Sequence, residues 1–326
     1  MLLNFAMVIS GISLLVWSAD RFTDGAAAIA RNFGISPLIV GLTIVAMGSS
    51  APEVVVSINA AYNGTPGLAI GNAIGSNVAN VGLVLGIAAL VTPLHVQSAT
   101  LKREIPVLFG VMILAFALLI DFEITKLDGL ILLFGLFSYL TWLTISVIRS
   151  RNKKSDLMLS ELIDELPEEM PNWKAILWVS VGLLLLQVSS KLLVVGATKI
   201  ASEMGVSPFL IGVTIVAVGT SLPELAASIT GVLKGEHELA IGNVIGSNIF
   251  NLLAVLGVPA LITTVNVSQE VLIIDYAFMF GLTIAVCFMA WGQKGKPGEI
   301  SRFEGGVLLA LFIGYQAYQF IFASQQ

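Results

Sequence analysis

Two glutamates, Glu53 and Glu224, lie inside long apolar runs, in the segments GSSAPE (48–53) and GTSLPE (219–224). An ionisable group deep in a membrane span costs about 2.5–3.5 kcal/mol on insertion scales, so it normally faces a partner or a polar cavity. Hydroxyls stand three and four residues before each carboxylate, at Ser49 and Ser50 and at Thr220 and Ser221, and four residues after it at Ser57 and Ser228. That spacing puts them on the carboxylate's side of a helix. Pro52 and Pro223 have no N–H, and a proline ring clashes with the carbonyl four residues back. The carbonyls of Gly48 and Gly219 are therefore expected to lose their helical partners and become available to a ligand. The following apolar run adds Asn72, Ser76 and Asn80, and its copy adds Asn243, Ser247 and Asn251. A spacing of four keeps each row on one helix face, able to turn toward the carboxylates. Asn77 and Asn248, next to these rows, read equally well as groups that cap or join helices. Gly71/Gly75 and Gly242/Gly246 form small-xxx-small faces suited to close packing.

The donor inventory is oxygen throughout: carboxylate, hydroxyl, amide and backbone carbonyl. Hard cations such as Ca²⁺ and Na⁺ take oxygen ligands. Soft metals call for Cys, His or Met, and none recurs in the motif. Two ionised carboxylates are balanced by one divalent cation or by more than one monovalent ion. Competition for one negative site is a basis for exchange, because an empty charged site is costly to carry across the barrier. The plainer readings are a pair of protonated carboxyls that bridge the bundle and a simple proline kink. Neither requires hydroxyls at these positions in both copies.

These residues belong to an internal repeat, the first thing to seek in such a chain. Residues 36–86 align with 207–257 at a constant offset of 171, without a gap, and 27 of the 51 positions are identical. The most alike residues are polar ones set in apolar helices, which a duplication that only enlarged a scaffold does not explain.

The medium around the repeat follows from composition. Of 326 residues, 56% are hydrophobic and 11% charged, against about 25% charged in a soluble domain. Lipid must solvate most of such a chain. The lone Cys287 cannot form an internal disulfide, and His95 and His237 show no ligand spacing. About 20 apolar residues cross a bilayer as a helix. Ten such runs occur, at 2–19, 36–62, 67–91, 105–121, 128–148, 174–192, 207–233, 238–262, 270–291 and 304–323. The first is expected as a retained span, because it lacks the basic start and cleavage site of a signal peptide.

With the N-terminus outside, thirteen Lys and Arg fall in inside loops and three, Lys126, Lys191 and Lys199, in outside ones. The positive-inside rule therefore puts both termini outside the cytoplasm. Five spans per half invert the second copy, and such inverted repeats with broken helices at the midplane are common in secondary transporters. The expected fold is an all-α membrane protein of ten transmembrane helices in two inverted five-helix repeats. Residues 1–148 form the first repeat, 149–173 a solvated cytoplasmic linker and 174–326 the second repeat.

At GSSAPE and GTSLPE, each followed by Gly-Asn-x-Ile-Gly-Ser-Asn, the sequence resembles the calcium/cation antiporter superfamily, in its sodium/calcium exchanger branch of prokaryotic type. The resemblance covers essentially the whole chain. It implies that Glu53 and Glu224 are the central Ca²⁺ ligands and also take part in Na⁺ binding. The hydroxyls of Ser49, Ser50, Thr220, Ser221, Ser76 and Ser247 would line the site. The carbonyls of Ala46 and Ala217 match Na⁺ ligands, and Asn80 and Asn251 complete the ring. The first and sixth spans would slide past the remaining bundle to alternate access. Ser49 stands where many members carry threonine, which keeps the hydroxyl. Asn251 is aspartate in some relatives, including potassium-dependent ones, and the amide argues against K⁺ co-transport. The large cytoplasmic regulatory region of animal exchangers is missing.

The expected activity is Ca²⁺/Na⁺ antiport across the plasma (inner) membrane by a monomer, with inorganic cations and the bilayer as partners and no cofactor or nucleic acid. A Ca²⁺/H⁺ antiporter using the same carboxylates is the near alternative. A channel fits the oxygen set, but inverted broken helices are more typical of alternating access. An intramembrane enzyme could use two carboxylates as acid and base, yet no nucleophile or metal constellation accompanies them.

Overall fold

A computed structural model describes residues 1–96, 98–153, 170–205, 217–291 and 298–323. Most of the expected linker, 154–169, lies outside the described residues, as do the first ten residues of the seventh expected span, 207–216. The helices are α1 (Leu2–Phe33), α2 (Pro37–Tyr62), α3 (Gly67–Val91), α4 (Ser98–Leu119), α5 (Lys126–Lys153), α6 (Asn172–Glu203), α7 (Ala217–Thr220), α8 (Leu222–Leu233), α9 (His237–Ile262), α10 (Val271–Met289) and α11 (Arg302–Ala323). Among the described residues, seven helices are long and apolar enough to cross a membrane: α1, α2, α3, α5, α6, α9 and α10. Helices also occupy the other three expected positions, as α4, α11 and the pair α7 and α8. Large apolar side chains such as Phe134, Phe288 and Phe303 stand exposed on the outer helices, where lipid is their natural solvent.

The elements depart from the sequence reading in three places. First, α1 and α6 are unbroken helices of 32 residues each, well beyond the apolar runs 2–19 and 174–192. Asp20, Arg21, Asp24 and Arg31 end the hydropathy of α1 but not its helix. The intervening Ala26, Ala27 and Ala28 are the best helix formers, and the charges find partners. Lys234 Nζ lies 2.6 Å from both Asp20 and Asp24, and Arg31 lies 3.3 Å from Glu236. Second, the spans are all helical, as expected, but loops between them carry short strand pairs that the sequence reading did not include. Two short antiparallel ladders tie loops together, Leu94–Val96 on Gly298–Ile300 and Glu123–Ile124 on Val265–Asn266. Third, residues assigned to the start of the linker, up to Lys153, continue α5 as helix.

The repeat reaches further back than its identities. α1 and α6 pack antiparallel, and glycines bring their backbones together. A Cβ on Gly11 would lie 2.9 Å from Leu193 N, and one on Gly182 2.8 Å from Phe22 Cβ. Gly25 meets Ala175 and Gly196 meets Asn4 in the same manner. Gly11 and Gly182 are 171 residues apart, as are Phe22 and Leu193, Gly25 and Gly196, and Asn4 and Ala175. Each contact thus recurs with its partners exchanged. The pair is clipped at both ends: Asn4 Nδ2 donates to Glu203 Oε1 at 2.8 Å, and Asn32 Nδ2 to Asn172 Oδ1 at 2.8 Å.

At the centre lie α3 and α9, the two most buried of the seven long apolar helices among the described residues. Glycine again sets the distance between α9 and α2. A Cβ on Gly242 would collide with the Leu38 carbonyl, and one on Gly41 would lie 2.5 Å from the Leu239 carbonyl. Backbone cannot yield as a side-chain tip does, and overpacking costs about 1–3 kcal/mol even where a core adjusts. Gly242→Ala should therefore lower the melting temperature of the detergent-solubilised protein or abolish its monodisperse chromatographic peak. Gly281→Ala, whose Cβ would meet nothing within 4 Å, should melt at or above the wild-type temperature.

Candidate cation-binding site

Both motifs break their helices at the same residue. Ser50 has φ −86° and ψ 5°, and Ser221 has φ −91° and ψ 4°. These values fall in the bridge region between helix and strand. Helix resumes at Ala51 and at Leu222, which sets Pro52 and Pro223 in the first turn, where a missing N–H costs nothing. Glu53 and Glu224 then occupy that same first turn, where unpaired N–H groups and the helix dipole favour negative charge. Each is only 1% exposed.

The freed carbonyls are not left open, contrary to expectation. Gln187 Nε2 on α6 donates to the carbonyls of Gly48 and Ser49, at 3.3 Å each. Ser190 Oγ, also on α6, donates to the Gly219 carbonyl at 2.7 Å. The Ala46 carbonyl accepts from Ser50 N at 3.0 Å. Ala217 begins α7.

The two halves interlock around the carboxylates. Ser50 Oγ, from the first half, donates to Glu224 Oε1 at 3.3 Å, and Ser49 Oγ donates to Asn243 Oδ1 at 3.2 Å. Asn72 and Asn243 do not aim their amide nitrogens at the carboxylates. Asn72 Nδ2 braces the Glu53 carbonyl at 3.0 Å and Ser57 Oγ at 3.2 Å; Asn243 Nδ2 braces the Glu224 carbonyl at 3.4 Å and Ser228 Oγ at 3.1 Å. Asn77 and Asn248 join the halves. Asn80 Nδ2 donates to Asn248 Oδ1 at 3.1 Å, and Asn251 Nδ2 to Asn77 Oδ1 at 3.0 Å.

Six oxygens from these residues are buried without a hydrogen-bond partner among the described residues: Glu53 Oε2, Glu224 Oε2, Asn80 Oδ1, Asn251 Oδ1, Ser221 Oγ and Ser247 Oγ. Ser76, equivalent to Ser247, is buried on the same row of α3, and Thr220 is half-buried beside the second break. The large majority of buried side-chain polar atoms in proteins are paired, and six of the fourteen unpartnered ones among the described residues fall in this one constellation, which calls for a ligand. All are acceptors or hydroxyls, the donor set of a hard cation. Among the described residues no group of three His, Cys, Asp or Glu is disposed to hold a metal ion.

Two features escaped the sequence reading. Wider π-helical turns begin at Asn80 and at Asn251; such bulges recur at functional sites, but no residue pattern announces them. Gln187 and Ser190 were detectable in principle, as polar side chains in an otherwise apolar span.

Comparison with known proteins points the same way. The model of the sodium/calcium exchanger protein family matches residues 3–145 and 174–321. The chain belongs to the sodium/calcium exchanger family. Among its relatives in sequence, the putative antiporter CaxA of Alkalimonas amylolytica is 49% identical over 97% of this chain and 98% of its own. The inner membrane protein YrbG of Escherichia coli K12 is 40% identical over 92% of each chain. Among solved structures, the sodium–calcium exchanger NCX_Mj soaked with Na⁺ and Ca²⁺ superposes with a TM-score of 0.81. It is 31% identical and is matched over 97% of this chain and 98% of that one. The exchanger family and this likeness make the chain a membrane-embedded cation antiporter.

The α6 side chains carry a testable load. Gln187→Leu strips both carbonyls of their donor, and an unsatisfied buried polar group costs about 1–3 kcal/mol. Its melting temperature in detergent should fall by several degrees, more than that of Gln187→Glu in mild acid, where a protonated carboxyl can still donate.

Proposed function

We propose that the protein exchanges Ca²⁺ for Na⁺ across the plasma (inner) membrane by alternating access, with Glu53 and Glu224 as shared ligands. The observation that carries this reading is the set of six buried oxygens, unpartnered among the described residues, on the two broken helices and the two central helices α3 and α9. Ser49, Ser50, Thr220, Ser221, Ser76, Ser247, Asn80 and Asn251 complete the oxygen set, and the carbonyls of Ala46 and Ala217 serve Na⁺. Family membership and the likeness to a sodium–calcium exchanger support the choice of ions. One site serves both ions in turn. Ca²⁺ balances two carboxylates alone, and Na⁺ ions do so together, so each displaces the other and neither state carries a bare charge through the membrane.

The proposed topology is ten spans in two inverted five-helix repeats, residues 1–148 and 174–326, with both termini outside the cytoplasm and one chain as the working unit. The exchanged contacts between α1 and α6 and the crossed asparagine bonds between α3 and α9 support the inversion. The lysine and arginine count supports the orientation.

Ca²⁺/H⁺ exchange with the same carboxylates is the second reading, favoured by their near-complete burial. A flux assay separates the two. In proteoliposomes, an outward Na⁺ gradient should drive ⁴⁵Ca²⁺ uptake when the proton gradient is collapsed by an ionophore. Uptake that follows the proton gradient alone would assign the counter-ion to H⁺. Glu53→Gln and Glu224→Gln should each slow Na⁺-driven uptake by at least about tenfold, the equivalent of 1.4 kcal/mol.

A further inference from the structure

Where α3 meets α9, four asparagines hold one another, each at 2% exposure or less. A side-chain amide offers C=O on one side and NH₂ on the other, and a half-turn exchanges them. Which end faces a neighbour is settled by a group that cannot exchange. Here that group is a backbone carbonyl. Asn77 Nδ2 donates to the Asn248 carbonyl at 3.3 Å, and a carbonyl only accepts. Asn77 must then turn its Oδ1 the other way, onto Asn251. Asn251 must meet it with Nδ2, at 3.0 Å, and its own Oδ1 is left among the unpartnered buried oxygens. The mirror bond runs from Asn80 Nδ2 to Asn248 Oδ1, and Asn80 Oδ1 is likewise left over.

We propose that Asn77 and Asn248 are positioning residues of the cation site: they capture the amide nitrogens of Asn251 and Asn80 and so commit both side-chain oxygens to the ion. This rests on the reading of Asn80 and Asn251 as ligands. Without the captor, each amide is free to turn its NH₂ inward and set a partial positive charge against the cation. Partners that orient a metal ligand typically change affinity by roughly 10–100-fold.

The test uses the full chain in proteoliposomes, with the KM for Ca²⁺ in Na⁺-driven ⁴⁵Ca²⁺ uptake as readout and detergent chromatography as the check on folding. Asn77→Leu, close in volume, should raise KM by at least about tenfold. A carboxylate shows oxygen whichever way it turns, so Asn77→Leu/Asn251→Asp should recover most of that loss. Asn251→Asp alone, which sets a carboxylate against Asn77 Oδ1, is the third corner of the cycle: its KM shift and that of Asn77→Leu should not add in the double variant. The coupling between the two substitutions is the signature that a packing role lacks. Asn248→Leu with Asn80→Asp should repeat the pattern.

An Asn77→Leu variant with wild-type KM, or one that Asn251→Asp does not rescue, overturns the proposal while leaving the site reading intact. Normal uptake by Glu224→Gln would instead overturn the site reading itself. If Asn77→Leu fails to fold, Asn77→Ser, too short to reach Asn251, carries the same comparison. Failure of both to fold, with and without Asn251→Asp, assigns Asn77 to packing and overturns the proposal.

Discussion

Charge cannot be left unsolvated in the middle of a membrane, and the architecture around Glu53 and Glu224 follows from that constraint. A continuous helix presents no free backbone donors at its centre. A helix broken at Ser50 or Ser221 does, because the restart creates an N-terminus in the core with the glutamate in its first turn. The break in turn strands the carbonyls before the proline, and α6 supplies Gln187 and Ser190 to meet them. Hydroxyls and amides from the opposite half close the shell. The polar groups therefore form a chain of obligations that starts with two carboxylates and spreads through Ser50, Gln187, Ser190 and the asparagines.

Division of labour within that set explains why so few residue types recur. Asn72 and Asn243 brace the broken helices through their nitrogens. Asn77 and Asn248 bind the neighbouring pair. The same residue type thus supports backbone in one row and orients oxygen in the next. Glycine does the complementary work outside the polar zone, where Gly41 and Gly242 let α2 and α9 approach to backbone contact.

Much of this was legible in the residues, for a physical reason. A polar group in an apolar span is expensive, so Glu53, Ser50 and Asn80 announce themselves, and their recurrence 171 residues later doubles the signal. The first and sixth spans were already matched by the repeat and the resemblance, but the contacts between α1 and α6 were hidden, because apolar packing accepts Phe22 in one half and Leu193 in the other and insists only on the glycine opposite. The fate of the Gly48 and Gly219 carbonyls was misread: proline reveals which acceptors are freed, not which distant side chain takes them. Helix length was underestimated in α1, since hydropathy stops at Asp20 while helix propensity and ion pairing continue to Phe33.

Lys234 bridges α1 to the segment after α8 by gripping Asp20 and Asp24. At the positions 171 residues away stand Asn63, Lys191 and Val195, which cannot form that grip. Two halves that agree at the oxygen set disagree at the rim. A helix pair moving between mirror-related positions would make this contact in one and have no equivalent in the other. The chain is built as a near-symmetric balance with a weight fixed to one arm.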